Sequence, residues 1–361
     1  MKKDETVQQI LREYDAKHSL YSAFTTKQEH LIAELLQERS FSPHSVTSRV
    51  KSRKSLEDKL RRTDASYARL SDITDVTGVR ITTYFSDDVD KIAEHLEKEF
   101  EIVKEHSVDK RKTIDADRFG YLSLHYVVKL SGERLKLTEY RRFPDLVCEI
   151  QVRSILQHAW AEIEHDLGYK SRIEVPQILR RRFSRLAGLL ELADQEFVTI
   201  REGLSEYQKN LPKEIRSSST TVTIDKLSLA EFLKSNRLVK SLDEQIAAMC
   251  GSSLVEDDAE LIENDLVHLN FLGIKNISEL EVALRSAEKF IPAFAKEWIG
   301  SYPELCTGIC LLYMSYVIIA QSGNKKFAVR FLDTGNFGGD HEELASKIFS
   351  TYAAVQKNQP H

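Results

Sequence analysis

Seven cations crowd residues 48–62 (SRVKSRKSLEDKLRR): Arg49, Lys51, Arg53, Lys54, Lys59, Arg61 and Arg62, against only Glu57 and Asp58. Positions 51, 55 and 59 recur every four residues, so a helix through them sets Lys51, Ser55 and Lys59 on one face. A polyphosphate asks for such a set, because several cations must offset its dense negative charge; a solvated basic helix is the plain alternative. Two carboxylates come next. Asp75 stands at the entry to the strand-like run VRITTYF (79–85), and Glu149 lies inside LVCEIQV (146–152). Alternation there puts Leu146, Cys148, Ile150 and Val152 on one face and Glu149, Gln151 and Arg153 on the other. Carboxylates delivered by separate strands suit a hard cation such as Mg2+, although Glu149 could equally pair with a cross-strand base. In FGYLSLHYVV (119–128), Tyr121 follows a glycine and can offer a stacking surface for a nucleobase, or it fills a core. Further on, His158, Glu162 and His165 share a helical face opposite Trp160. That spacing could hold zinc but matches no recognised metalloprotease pattern.

The elements that must position these groups are legible as periodicities. Residues 5–38 repeat apolar positions at helical spacing, with Val7, Ile10, Leu11, Tyr14, Leu31, Ile32, Leu35 and Leu36 inward. A break at residues 41–44 precedes the basic stretch, whose helix is expected to start near Ser52 or Ser55. Ser86 is placed to cap a helix running to Phe100. Strands are expected near 79–85, 101–106, 123–130 and 146–152, and helices over 154–167 and 176–206. The composition of residues 211–223 (LPKEIRSSSTTVT) reads as a linker. Beyond it the pattern is mostly helical, with KKFAVRFLDTG (325–335) strand-like. The fold class expected is therefore α+β: a mixed sheet flanked by helices over residues 1–210, a linker over 211–223, and a mainly helical domain over 224–361.

Bulk properties exclude several classes. The 361-residue chain is 42% hydrophobic and 30% charged with net charge −5, so it is no generic nucleic-acid binder. The N-terminus turns acidic and amphipathic at once, which is not a signal peptide. The longest apolar run, 307–320, is too short for a membrane helix and suits a buried one. Four scattered cysteines fit a reducing cytoplasm; Cys306 and Cys310 read as core residues four apart on one helix.

Taken in order, RVK-x3-S-x3-K, I-x-D-x2-G-x-R-I, G-Y-x-S-L-H, E-I-Q-V-R and W-x3-E-H-x-L-x-Y-K closely resemble the synthetase domain of the RelA/SpoT family, over about residues 40–200. These enzymes make the alarmones ppGpp and pppGpp on a nucleotidyltransferase-like domain. The resemblance implies that Asp75 and Glu149 hold an ATP-bound Mg2+, that Arg49 and Arg80 clamp the adenine, and that Lys51 and Lys59, with Ser55 nearby, meet the phosphates. Tyr121 would stack on guanine, with His125, Gln151, Arg153 and His158 lining the acceptor pocket. The implied reaction moves pyrophosphate from ATP to the 3′-hydroxyl of GDP or GTP and releases AMP. Only about 40 residues precede the domain, so the hydrolase of long family members is not expected, nor is ribosome-triggered activation. By analogy the chain would be a homo-oligomer.

Residues from about 224 onward match no pattern, and a ligand or protein partner for them is left open. Two other functions stay in view: a toxic synthetase that pyrophosphorylates the 3′ end of tRNA, with Arg180, Arg181, Arg182 and Arg185 as its basic surface, and a degenerate nucleotide-binding regulator. Intact Lys51, Asp75, Tyr121 and Glu149 speak against the regulator.

Overall fold

The computed structural model describes residues 2–62, 66–109, 123–169, 176–256, 259–300, 302–335 and 337–357. Helix α1 (Lys2–Glu38) buries Val7, Ile10, Leu11, Tyr14, Tyr21, Phe24, Leu31, Ile32 and Leu36 along one stripe. It stops at Ser40, which takes a left-handed φ of 59° while its N–H and that of Phe41 bond back to Gln37 and Leu36. Strand β1 (Ser45–Val50) follows. Helix α2 (Arg53–Arg61) begins after Ser52, whose hydroxyl accepts the Ser55 N–H at 3.2 Å. That cap corrects one expectation: Lys51 is not on the helix with Ser55 and Lys59. Ser52 has already turned the chain, and the Lys51 N–H donates to the Val76 carbonyl at 2.8 Å.

Strand β2 (Thr77–Thr83), helix α3 (Asp87–Glu99), strands β3 (Phe100–Ile102), β4 (Val108–Asp109) and β5 (Leu124–Leu130), the short α4 (Gly132–Leu135) and strand β6 (Cys148–Ser154) complete a six-stranded sheet. Its order is β1-β2-β6-β5-β3, with β4 beside β5. The β2–β6 pairing is parallel and the others antiparallel, so the sheet is mixed as the α+β class requires. Helices α1 and α3 bury one face of it, packing Phe24, Ile32, Val89, Ile92 and Leu96 on Val79, Ile81, Ile150 and Val152. Ser86 precedes α3 as expected, yet its hydroxyl makes no capping bond. The carboxylates of Asp87, Asp88 and Asp90 in the first turn complement the helix dipole instead. Helix α5 (Ile155–Glu164) runs into a π-helical turn, His165–Tyr169, and α6 (Gln177–Ser218) is 42 residues long.

The chain divides into two compact units, Met1–Glu202 and Gly203–His361. The linker expected at 211–223 is instead helix through Ser218, with Pro212 inside α6. Proline costs a helix one hydrogen bond, but Leu211 is fully buried in the core of the second unit, and that burial holds the backbone helical. In this unit follow α7 (Lys226–Ser235), α8 (Arg237–Cys250), β7 (Ser253–Val255), α9 (Ala259–Phe271), α10 (Ile277–Ala287), α11 (Ile291–Trp298), β8 (Glu304–Cys306), α12 (Ile309–Gln321), α13 (Lys325–Thr334) and α14 (His341–Lys357).

Helix α12 is apolar all round and buries Cys310, Leu311, Tyr313, Met314, Tyr316, Val317 and Ile319, the pattern of a central helix. The strand-like 325–335 is helix α13, because Ala328, Phe331 and Leu332 repeat at three and four residues and are all buried. Cys306 and Cys310 do not share a helix. Cys306 ends β8, and Gly308 at φ 91° turns the chain before α12. Asp243, 1% exposed, accepts the N–H groups of Gly308 (2.7 Å) and Cys310 (3.0 Å) and so satisfies the start of α12. No helix among the described residues is long and apolar enough to cross a membrane.

Candidate active site

Residues paired across strands project to the same side of a sheet, and the pairing here lines up two polar rows. Thr47 faces Arg80, Arg80 faces Gln151, and Gln151 faces His125. One step along, Arg49 faces Gly78, which faces Glu149. This is the sheet face that α1 and α3 leave open. A cleft runs along it, lined by Thr47, Ser48, Arg49, Asp75, Gly78, Val79, Arg80, Glu149 and Gln151. Gly78 lies between the guanidinium of one strand and the carboxylate of another. A Cβ there would meet only the Glu149 carbonyl, at 3.6 Å, so backbone crowding does not demand glycine. What the missing side chain does is leave the floor of the cleft open.

At one end Asp75 holds two lysines, Lys51 Nζ on Oδ2 at 2.8 Å and Lys59 Nζ on Oδ1 at 2.9 Å. Burial alone would raise the Asp75 carboxyl, but the hydrogen bonds and charges of Lys51 and Lys59 hold it below its ordinary value. Burial works against the Lys59 ammonium, which Asp75 and the adjacent Tyr67 nevertheless keep raised. Lys51 is fixed from behind: Tyr14, on α1 and 2% exposed, donates its hydroxyl to the Lys51 carbonyl at 2.5 Å. The two lysines thus converge on the cleft from different elements, not from one helical face.

Glu149 is gripped at both oxygens. His125 Nδ1 lies 3.0 Å from Oε1, and Gln151 Nε2 donates to Oε2 at 3.1 Å. The far nitrogen of His125 lies 2.8 Å from Ser123 Oγ. Burial pushes Glu149 up, yet the bond and charge of His125 carry it below the ordinary carboxylate value; the charge of Asp75 opposes them. Asp75 and Glu149 are therefore close enough to feel each other. Among the described residues no group of three or more His, Cys, Asp or Glu side chains is arranged to hold a metal ion.

At the other end Arg80 and Arg153 share one counter-ion. Glu162 Oε1 lies 3.0 Å from Arg80 Nη1 and 3.3 Å from Arg153 Nη2, with His158 Nδ1 at 3.8 Å. Desolvation and the charge of Arg80 press the Arg153 guanidinium down to about 10, and burial and the same two arginines lower His158. Helix α5 supplies both His158 and Glu162. Its N-cap Ser154 accepts the Gln157 N–H at 3.1 Å and donates to the buried Asp194 of α6 at 2.6 Å.

Of the expected site residues, the structure brings Arg49, Asp75, Arg80, Glu149 and Gln151 to one cleft, with Lys51 and Lys59 on Asp75 and His125 on Glu149. Arg153 and His158 gather at Glu162. Ser55 stands apart, exposed at the start of α2 and bonded to Ser52. Tyr121 lies outside the described residues. Sequence reasoning missed Tyr14 and Ser123 and gave Glu162 no part in the site. Ser123 stands as the serine of G-Y-x-S-L-H and Glu162 as an acid four residues after His158 on the helix that follows β6, whereas nothing around Tyr14 marks it.

Residues 48–174 match the model of a region found in RelA and SpoT proteins. The GTP pyrophosphokinase YjbM of Bacillus subtilis (strain 168) is 30% identical over 181 residues, 48% of this chain and 79% of that protein. The chain belongs to the RelA/SpoT family. A second relative from the same organism, the GTP pyrophosphokinase YwaC, is 28% identical over 158 residues, covering 43% of this chain and 72% of that one. Among solved structures, a GTP pyrophosphokinase family protein from Streptococcus pneumoniae is 27% identical, covering 54% of this chain and 95% of its own at a TM-score of 0.44. The matched residues 48–174 include every member of the two polar rows except Thr47, and all of α5.

Proposed function

We propose that the chain is a GTP pyrophosphokinase, transferring the β,γ-pyrophosphate of ATP to the 3′-hydroxyl of GDP or GTP to give (p)ppGpp and AMP. The observation that carries this is the cleft. Two lysines, two carboxylates and two arginines meet on the open sheet face of a chain whose family relatives bear that activity. Displacement at phosphorus needs alignment and charge neutralisation more than covalent help. Lys51 and Lys59 are the groups that meet the ATP phosphates, and Arg49 and Arg80 flank the adenine. Glu149, its orientation set by His125 and Gln151, is the group that orients the acceptor hydroxyl and takes its proton. His125, Gln151, Arg153 and His158 line the acceptor side.

Asp75 and Glu149 fit a magnesium ion. They are hard oxygen donors on one cleft, and their mutual repulsion is one a divalent cation relieves. With no third protein ligand of that kind among the described residues, water and substrate phosphate would complete the shell. When bound, the ion supplies charge stabilisation at the transferring phosphoryl oxygens.

The test is acceptor choice: purified protein with ATP labelled in its β and γ phosphates, offered GDP, GTP or deacylated tRNA. Label on a guanine nucleotide supports this function, and label on tRNA alone overturns it. Such substrates place the reaction in the cytoplasm. Self-association has its own support, since Leu186, Leu189, Leu192, Phe197 and Ile200 are each about half exposed on α6. An apolar row of that length needs a cover, and a second copy of the same helix supplies one. Light scattering that gives a monomer mass at working concentration would remove this part.

A further inference from the structure

We propose that Glu162 is the positioning residue of the adenine clamp: it grips the edge of Arg80 so that the face of the guanidinium stays free to stack on the base. This rests on reading Arg80 as an adenine contact. The geometry is particular to these residues. Arg80 lies in the middle of β2 with its side chain 27% exposed, long and free to choose among rotamers. A guanidinium stacks through its flat face and hydrogen-bonds through its rim, so a stacking arginine needs its rim held by something outside the stack. Glu162 Oε1 does that at 3.0 Å from Nη1, reaching down from α5.

Arg153 makes the same carboxylate necessary in a second way. Its side chain is 5% exposed, so burial already fixes its place; that burial first, and the like charge of Arg80 second, lower its guanidinium. Without Glu162 the two arginines would lose their shared counter-ion, and Arg80, the more exposed of the two, would swing away. Helix α5 is itself anchored, through Ser154 on Asp194 and the Ser154–Gln157 capping box, so the carboxylate is presented from a fixed scaffold. The clamp thus has its second arginine set by the helix that follows the strand of Glu149.

The role is separable from catalysis and from folding. Glu162→Ala is expected to raise KM for ATP about tenfold, the scale of losing one charge-assisted hydrogen bond at a half-exposed site, with kcat changed less than about twofold. Calorimetric binding of inorganic tripolyphosphate, which has no base to stack on, should stay unchanged, while binding of the non-hydrolysable analogue AMPCPP weakens about as much as KM does. Arg80→Ala should weaken AMPCPP by at least as much, and the double variant should be no worse than Arg80→Ala alone, because Glu162 acts through Arg80. Glu162→Asp, shorter but charged, should recover part of the loss. Equal weakening of tripolyphosphate and AMPCPP in Glu162→Ala, or a double variant that loses the sum of the two, overturns the inference. Should Arg80→Ala bind AMPCPP normally, the reading of Arg80 as an adenine contact fails, and the inference with it. If only Glu162→Ala is silent, the inference alone fails.

Discussion

The two units of this chain bury their polar groups for opposite reasons. In Met1–Glu202 the polar face of the sheet is left open, and its charges are spent on one another: two lysines on Asp75, a histidine and an amide on Glu149, two arginines on Glu162. In Gly203–His361 the centre is aromatic and aliphatic, with His268 stacked on Phe337 at 5.2 Å and Tyr316 edge-on to Phe331 at 6.3 Å. Its buried acid, Asp243, is committed to two backbone N–H groups of the α12 start. Charges held by exchangeable side-chain partners can be handed to a substrate, whereas a charge committed to backbone amides can only hold a fold together. That difference separates a region built for chemistry from one built for packing.

Four substitutions probe the contrast, from the largest effect to the smallest. Glu149→Gln should cut pyrophosphate transfer by about a thousandfold or more, the scale of about 4 kcal/mol of transition-state stabilisation, while AMPCPP binding measured by calorimetry stays near normal. Ordinary turnover in that variant would show that the carboxylate is not the proton acceptor. Phe331→Ala, at a fully buried position, should cost about 3–5 kcal/mol in denaturant unfolding. Transfer activity should persist at denaturant concentrations that have already melted the second unit; loss of both together would mean that the two units unfold as one. Asp243→Ala leaves the Gly308 and Cys310 N–H groups buried without a partner and should cost about 1–3 kcal/mol, read from the same unfolding curves, with kcat untouched.

The last and smallest effect is a pH dependence. Burial raises Asp194 to about 7, against about 4 in the unfolded chain. A carboxyl raised on folding favours the native state below the unfolded value, and that contribution is lost as pH climbs through the folded one. Asp194→Asn should therefore flatten the part of the thermal-stability profile that declines between about pH 4 and pH 7. Asp75 and Glu149, both lowered on folding, act in the other direction and weaken the fold only as pH falls below the ordinary carboxylate range. An unchanged slope in Asp194→Asn would show that this acid is not the source.

How much was legible follows the same divide. The strands that line the cleft could be read because alternation in LVCEIQV separates a core face from a polar one, and because five motifs keep their order. Lys51 was placed with the right partners but on the wrong element. Four-residue spacing suggested one helical face, and only the Ser52 cap reveals that the lysine lies between β1 and α2 instead. Tyr14 could not be foreseen, since its contact with Lys51 spans 37 residues and nothing in its neighbourhood marks it. In the second unit, KKFAVRFLDTG carries alternation and helical spacing at once, and tertiary burial of Phe331 and Leu332 decided between them. Proline and serine at 211–219 spoke for a linker, but a buried Leu211 outweighed them.

The hydroxyl of Tyr14 on the Lys51 carbonyl carries a practical lesson about where this synthetase can be cut. The family match begins at residue 48, halfway along β1, yet the underside of the sheet is roofed by α1 and one of the two lysines on Asp75 is pinned by it. A fragment trimmed to the matched residues would leave α3 alone over Val79, Ile81, Ile150 and Val152 and free Lys51 at its root. Any shortened version made for crystallography or screening therefore has to keep the first helix whole.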